Sequence, residues 1–140
     1  MSEALTLQQA VDKIESAYEF MLAYAAQGRD FESVGGDGPP IRGILSDLRS
    51  GLSALGTAFK ARIAAAEPRE AGALTAFCNL LSADAERATA AIDVALSVRN
   101  ISSQLIDNLN ASMHLRTLLT DMFLLDEALS KASQSPPQRN

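Results

Sequence analysis

Apolar residues recur every three or four positions along four stretches of the chain, the spacing that places them on one face of an α-helix. The first stretch follows Thr6, which stands in capping-box spacing, and it ends before Gly28. The second begins with Pro39 or Pro40 in its first turn, where the missing N–H costs nothing, and it ends before Pro68. The glycine- and proline-rich segment between these two stretches predicts a loop.

The third and fourth stretches are separated by a polar segment, residues 98–103, that contains neither glycine nor proline. A turn near Asn100, with Ser102 or Ser103 capping the next helix, avoids one implausibly long helix. The fourth stretch is apolar around most of its circumference from Leu115 to Leu129, which requires burial on several sides. The predicted helices span about 6–27, 40–67, 69–98 and 102–132.

Four amphipathic helices without a strand pattern predict an all-α fold, a four-helix up-down bundle. The 140 residues fit one domain, which we place at 1–132, and the polar tail 133–140 is predicted to be disordered. Glycines inside the second helix are costly unless another helix approaches closely. We therefore predict that Gly51 or Gly56 meets a neighbouring helix at short range.

Composition excludes several kinds of chemistry. The net charge of −5 argues against nucleic-acid binding, which needs a concentrated basic surface. One cysteine, Cys78, and one histidine, His114, cannot form an internal disulfide or a structural zinc site, and Ala111 breaks the Glu-x-x-His spacing of di-iron bundles. Cys78 lies on an apolar stripe and is expected to be buried and inert. We therefore expect no enzyme activity, no cofactor and no metal.

The N-terminal residues do not read as a secretory signal, and no apolar run is long enough to cross a bilayer. These features predict a cytoplasmic protein that does not insert into a membrane.

The eight residues from Ser112 to Leu119 resemble the phosphoacceptor box of sensor histidine kinases. The acid that follows the histidine in the box is missing here, so Leu115 comes directly after His114, and Leu118 replaces the proline of the box. The resemblance implies that His114 could carry a phosphoryl group, as in histidine phosphotransfer domains, which are four-helix bundles with an exposed histidine. A phosphotransfer bundle using His114 is one alternative function, and a sensor with an apolar ligand pocket between helices is another.

The function that the sequence favours is a non-catalytic helical bundle that acts through protein–protein interaction, as an adaptor, small chaperone or regulator. Apolar residues on the fourth helix exceed what one monomer core is expected to cover, and exposing them would be costly. The expected interaction surface comprises Leu115, Leu119, Met122 and Phe123. A homodimer that buries this surface is the simplest expectation, and a different protein partner is the alternative.

Overall fold

The computed structural model describes residues 5–32, 40–66, 69 and 71–132 of the chain. Five α-helices account for most of these residues, and consecutive long helices pack against each other in an up-down arrangement. Their bounds are α1 Leu7–Ala26, α2 Ile41–Ala66, α3 Ala71–Ser97, α4 Ser103–Asn110 and α5 Met113–Ala132. The all-α class is therefore confirmed, but the number of helices differs from the prediction. The predicted disordered tail, 133–140, lies outside the described residues.

Local sequence signals set the ends of the first helices as expected. The Thr6 hydroxyl accepts from the backbone N–H of Gln9, and the Gln9 side chain accepts from the Thr6 N–H, which completes the capping box of α1. Gly28 has a φ of 64°, the left-handed conformation that commonly follows a helix end. The turn expected near Asn100 is present, and the Ser102 hydroxyl caps α4 by accepting from the Leu105 N–H.

The predicted fourth helix, 102–132, is two helices, and this is a correction to the sequence analysis. The helical pattern is interrupted at residues 111 and 112, between α4 and α5. The two helices have different principal neighbours, because α4 packs mainly on α1 and α5 packs mainly on α3. The buried Asn110 side chain fixes the end of α4 by donating to the Met21 carbonyl of α1, 3.1 Å away.

Two glycines of α2 allow close approach of its neighbours, as predicted. A Cβ placed on Gly51 would lie 2.9 Å from Cγ1 of Ile14 and 3.1 Å from the Ala10 carbonyl oxygen, both on α1. A Cβ on Gly56 would overlap the Ser82 hydroxyl on α3. The glycines therefore compensate for their low helix propensity by letting α1 and α3 pack tightly on α2.

A network of hydrogen bonds joins the segment after α1 to the turn between α3 and α4. The Arg42 guanidinium binds the Glu32 carboxylate through two nitrogens, at 2.7 and 3.1 Å, and also donates to backbone carbonyls at the end of α3. Glu32 in turn accepts from the Ile101 N–H at 2.8 Å. Burial alone would raise the pKa of Glu32, but the hydrogen bonds from Arg42 and Ile101 hold it below its ordinary value. This network closes one end of the bundle.

Candidate functional site

Most of the predicted interaction surface is part of the core. Leu115, Leu119 and Met122 are buried in the single chain, so they cannot form a surface on this structure. Phe123 is the exception, with 52% of its surface exposed. The apolar circumference of α5 is explained by its position in the bundle, since α5 packs mainly on α3 and also contacts α2 and α4.

Large apolar side chains nevertheless remain exposed on the opposite side of α5. Met113 and Leu124 have 74% and 56% of their surface exposed, and they lie eleven residues, or about three helical turns, apart. Exposed Thr117 and Thr120 occupy the intervening turns, and Phe123 lies at the edge of the same surface. We call this surface the outer face of α5; its members are Met113, Thr117, Thr120, Phe123 and Leu124.

Two exposed charges of opposite sign flank this outer face. Arg116 and Glu127 are also eleven residues apart, so they lie on one side of the helix near its two ends. Glu127 makes an exposed contact of 3.8 Å with Lys131, one turn further along. The centre of the outer face, between these two charged positions, carries threonine and apolar side chains.

A pair of carboxyl groups lies in the seam where α5 packs on α3. Asp121 of α5 is only 7% exposed, and its Oδ2 is buried without a hydrogen-bond donor among the described residues. The Asp84 side chain of α3 is the neighbouring group that influences the pKa of Asp121, through hydrogen bonding and through its charge. Arg87 donates to Oδ1 of Asp84 from one turn along α3, at 2.7 Å. Exposed His114, two turns before Asp121 on α5, also acts electrostatically on Asp84.

The surroundings of the two carboxyl groups shift their pKa values in opposite directions. Burial raises the pKa of Asp121, and the neighbouring Asp84 raises it further, to about 7. The hydrogen bond with Asp121 lowers the pKa of Asp84 below its usual range, and the Arg87 guanidinium acts in the same direction against partial burial. Within this pair Asp84 is therefore the group that ionises first, and Asp121 is the group that keeps its proton to higher pH.

The other residues singled out from the sequence have ordinary surroundings. Cys78 is buried, as expected, and its thiol lies 3.5 Å from the Gly56 carbonyl oxygen. Burial raises the pKa of this thiol, which makes it a poor nucleophile. His114 is exposed near the start of α5, a position that leaves its ring accessible.

The described grooves are open and do not resemble an enclosed apolar ligand pocket. One groove of about 430 Å³ lies between α2 and α3. Its lining includes the polar side chains of Ser53, Thr57, Lys60, Glu86 and Thr89. Within the described ranges, no three histidine, cysteine or acidic residues are grouped so that they could hold a metal ion. No helix in that part of the chain has the length and hydropathy needed to cross a membrane.

Comparison with known proteins does not assign the chain to a family. No family model matches it, and no significant match is found among curated proteins or solved structures. The candidate site therefore depends on the geometry of this chain alone.

The sequence analysis missed the pair formed by Asp84 and Asp121. The available signal was Asp121 itself, which lies three residues after Leu118 and four before Leu125, between two buried positions of one stripe. An acid at such a position needs a partner on the facing helix.

Proposed function

We propose that this protein is a non-catalytic helical-bundle module that acts through protein–protein contact, and that its binding surface is the outer face of α5. The supporting observation is the exposure of three large apolar side chains, Met113, Phe123 and Leu124, on one helix. Burying a side chain of this size typically contributes about 1.5–3 kcal/mol, so covering this face favours association. An adaptor or regulator would present such a surface to a helix of its partner.

The partner that the charges favour is a second copy of the chain. In a symmetric dimer with the two α5 helices antiparallel, every contact occurs twice: where one residue of the first copy meets a second residue of the other copy, the reverse pair also meets. An axis midway between Arg116 and Glu127 brings Arg116 of each copy level with Glu127 of the other. The same axis brings Thr120 level with Phe123 at the centre of the contact. The pairing of opposite charges thus favours this antiparallel arrangement.

The experiment measures the molecular mass in solution by light scattering or sedimentation, at micromolar concentrations and above. One chain has a mass of 14.9 kDa, and we expect the unmodified protein to show twice this mass. Leu124→Lys should reduce the mass to that of a monomer, because it places a charge in the apolar contact. Val94→Lys is the matched control, since Val94 is an equally exposed apolar residue on α3 and should leave the dimer intact.

A charge exchange tests the orientation of the two helices. Arg116→Glu and Glu127→Arg should each weaken the dimer, because each places like charges opposite one another, and the double variant should restore it. A monomer at all concentrations would rule out the second copy as the partner. Unchanged masses for all three charge variants would instead rule out the antiparallel arrangement.

A second candidate function, phosphotransfer, is favoured by one observation, the exposure of His114 beside the charge of Asp84. A phosphorylated receiver domain, the usual donor to phosphotransfer bundles, is the probe. Transfer of labelled phosphate to the protein, abolished by His114→Gln, would support this role. Absence of label on the intact protein, with a known phosphotransfer domain labelled in parallel, would exclude it for that donor.

A further inference from the structure

The contact between α3 and α5 contains a buried polar group that the proposed interaction does not use. Asp121 is buried in this seam, and its Oδ2 has neither solvent nor a described donor. A carboxylate in that position would be costly, because an ionised group needs hydrogen-bond donors when water is removed. A protonated carboxyl group removes this cost, since its O–H can donate to the neighbouring Asp84 carboxylate.

We infer that Asp84 and Asp121 share one proton across the seam, and that holding this proton is a condition of the full stability of α5 on α3. The proton resides on Asp121 and is donated to Asp84. Its loss leaves two carboxylates facing each other between the helices. The packing of α5 on α3 is therefore linked to pH.

The charges around the pair explain which of the two groups keeps the proton. On α3, Arg87 pairs with Asp84 at 2.7 Å and favours its ionised form. On α5, His114 also acts on Asp84. Among the described residues, Asp84 is the charged group that acts on Asp121, and neither α2 nor α4 contributes a charge to it. Asp121 thus lacks the cationic neighbour that Asp84 has.

The direction of the pH dependence follows from the raised pKa of Asp121. The folded protein holds this proton up to a pKa of about 7, whereas the unfolded chain releases it near the ordinary value of 3.8. The stabilisation that this proton provides is complete at pH values below the pKa of the unfolded chain. It is lost as the pH rises through the pKa of the folded protein. Asp84 contributes in the opposite sense, and only at pH values near or below its ordinary pKa. A window from about pH 5 to about pH 8 therefore separates the contribution of Asp121 from that of Asp84.

The first measurement is a carbon NMR titration of the Asp121 carboxyl group in the intact protein. We expect an inflection near pH 7, and an inflection near 3.8 would overturn the inference. In Asp84→Asn, which removes the neighbouring negative charge, the inflection should move to lower pH. An inflection that does not move would show that the two groups do not share a proton.

The second measurement is urea denaturation at both ends of the pH window. The folding equilibrium constant of the unmodified protein should fall by up to about a hundredfold, since one extra bound proton changes it up to tenfold per pH unit. In Asp121→Asn the amide can donate to Asp84 at every pH, so most of this fall should disappear. Asp126→Asn, an exposed acid on the same helix, should retain the full dependence.

Two further outcomes are decisive. His114→Gln is measured in parallel, and loss of the pH dependence in this variant would assign it to the histidine instead. An equal fall in Asp121→Asn and in the unmodified protein would also overturn the inference. If Asp121→Asn does not fold, the carboxyl titration of the intact protein and of Asp84→Asn still decides the question.

Discussion

Replacing Gly51 by alanine adds one methyl group at the closest approach of α1 and α2. The new Cβ would lie 2.9 Å from Cγ1 of Ile14, closer than real Cβ atoms approach a neighbour, and 3.1 Å from the Ala10 carbonyl oxygen. Ile14 is fully buried and branches at Cβ, so its side chain cannot easily turn aside. The Ala10 oxygen belongs to the backbone, so relief of that contact requires α1 to move. The substitution therefore separates the two helices or strains both.

Two opposing contributions set the size of the effect. Overpacking a well-filled core typically costs about 1–3 kcal/mol. Alanine in place of glycine in a helix interior gains roughly 0.8–1 kcal/mol, because the unfolded chain loses conformational freedom. We expect overpacking to win and Gly51→Ala to lower the free energy of unfolding by about 1 kcal/mol, with a larger loss for Gly51→Leu.

Gly43→Ala is the matched control on the same helix. A Cβ at Gly43 would meet Pro40 at 3.5 Å, an ordinary van der Waals contact, and the position is exposed. This variant should be neutral or more stable by up to about 1 kcal/mol. Urea denaturation followed by far-UV circular dichroism measures both. If Gly51→Ala raises the denaturation midpoint as Gly43→Ala does, the close approach of α1 and α2 is refuted.

Two further predictions concern the hydrogen-bond network that closes one end of the bundle. Arg42→Met should lower the free energy of unfolding by roughly 2 kcal/mol, because it leaves the Glu32 carboxylate without its bidentate partner. Arg49→Met, whose pair with Asp93 is half exposed, should have little effect in the same urea denaturation. Tyr24→Phe should cost about 1 kcal/mol, because the Tyr24 hydroxyl donates to the Ile101 carbonyl at 2.6 Å in a buried position. Tyr18→Phe, on the same helix, serves as its control, and equal losses in the two tyrosine variants would contradict the prediction.

The features that could be predicted from the sequence are those encoded by neighbouring residues. The capping box of α1, the left-handed turn at Gly28 and the N-cap at Ser102 each depend on a few consecutive positions. The burial of α2 also follows from its stripe of apolar residues, which includes Leu45, Leu52 and Phe59. Helix periodicity alone therefore fixes three of the long helices to within a few residues.

The break between α4 and α5 could not be predicted in this way. Residues 110–112 contain no glycine or proline, and the apolar spacing continues through them. The chain interrupts its helix here because α4 follows α1 while α5 follows α3, and Asn110 forms its hydrogen bond with Met21 across the bundle. This interaction joins residues far apart in sequence, so no local pattern reveals it.

The candidate surface shows how the same helix pattern supports two different conclusions. Two apolar stripes on one helix require two sets of neighbours, which the sequence analysis assigned to the core and to a second chain. The structure supplies the neighbours of both stripes within one chain, so Leu115, Leu119 and Met122 are buried without association. What remains for a partner is a third set of side chains, Met113, Phe123 and Leu124, on the side of α5 that faces away from the core. Because at least half of each of these side chains is exposed in the monomer, replacing them should weaken association with little effect on the stability of the monomer itself, whereas replacing the buried set should lower the stability of the monomer.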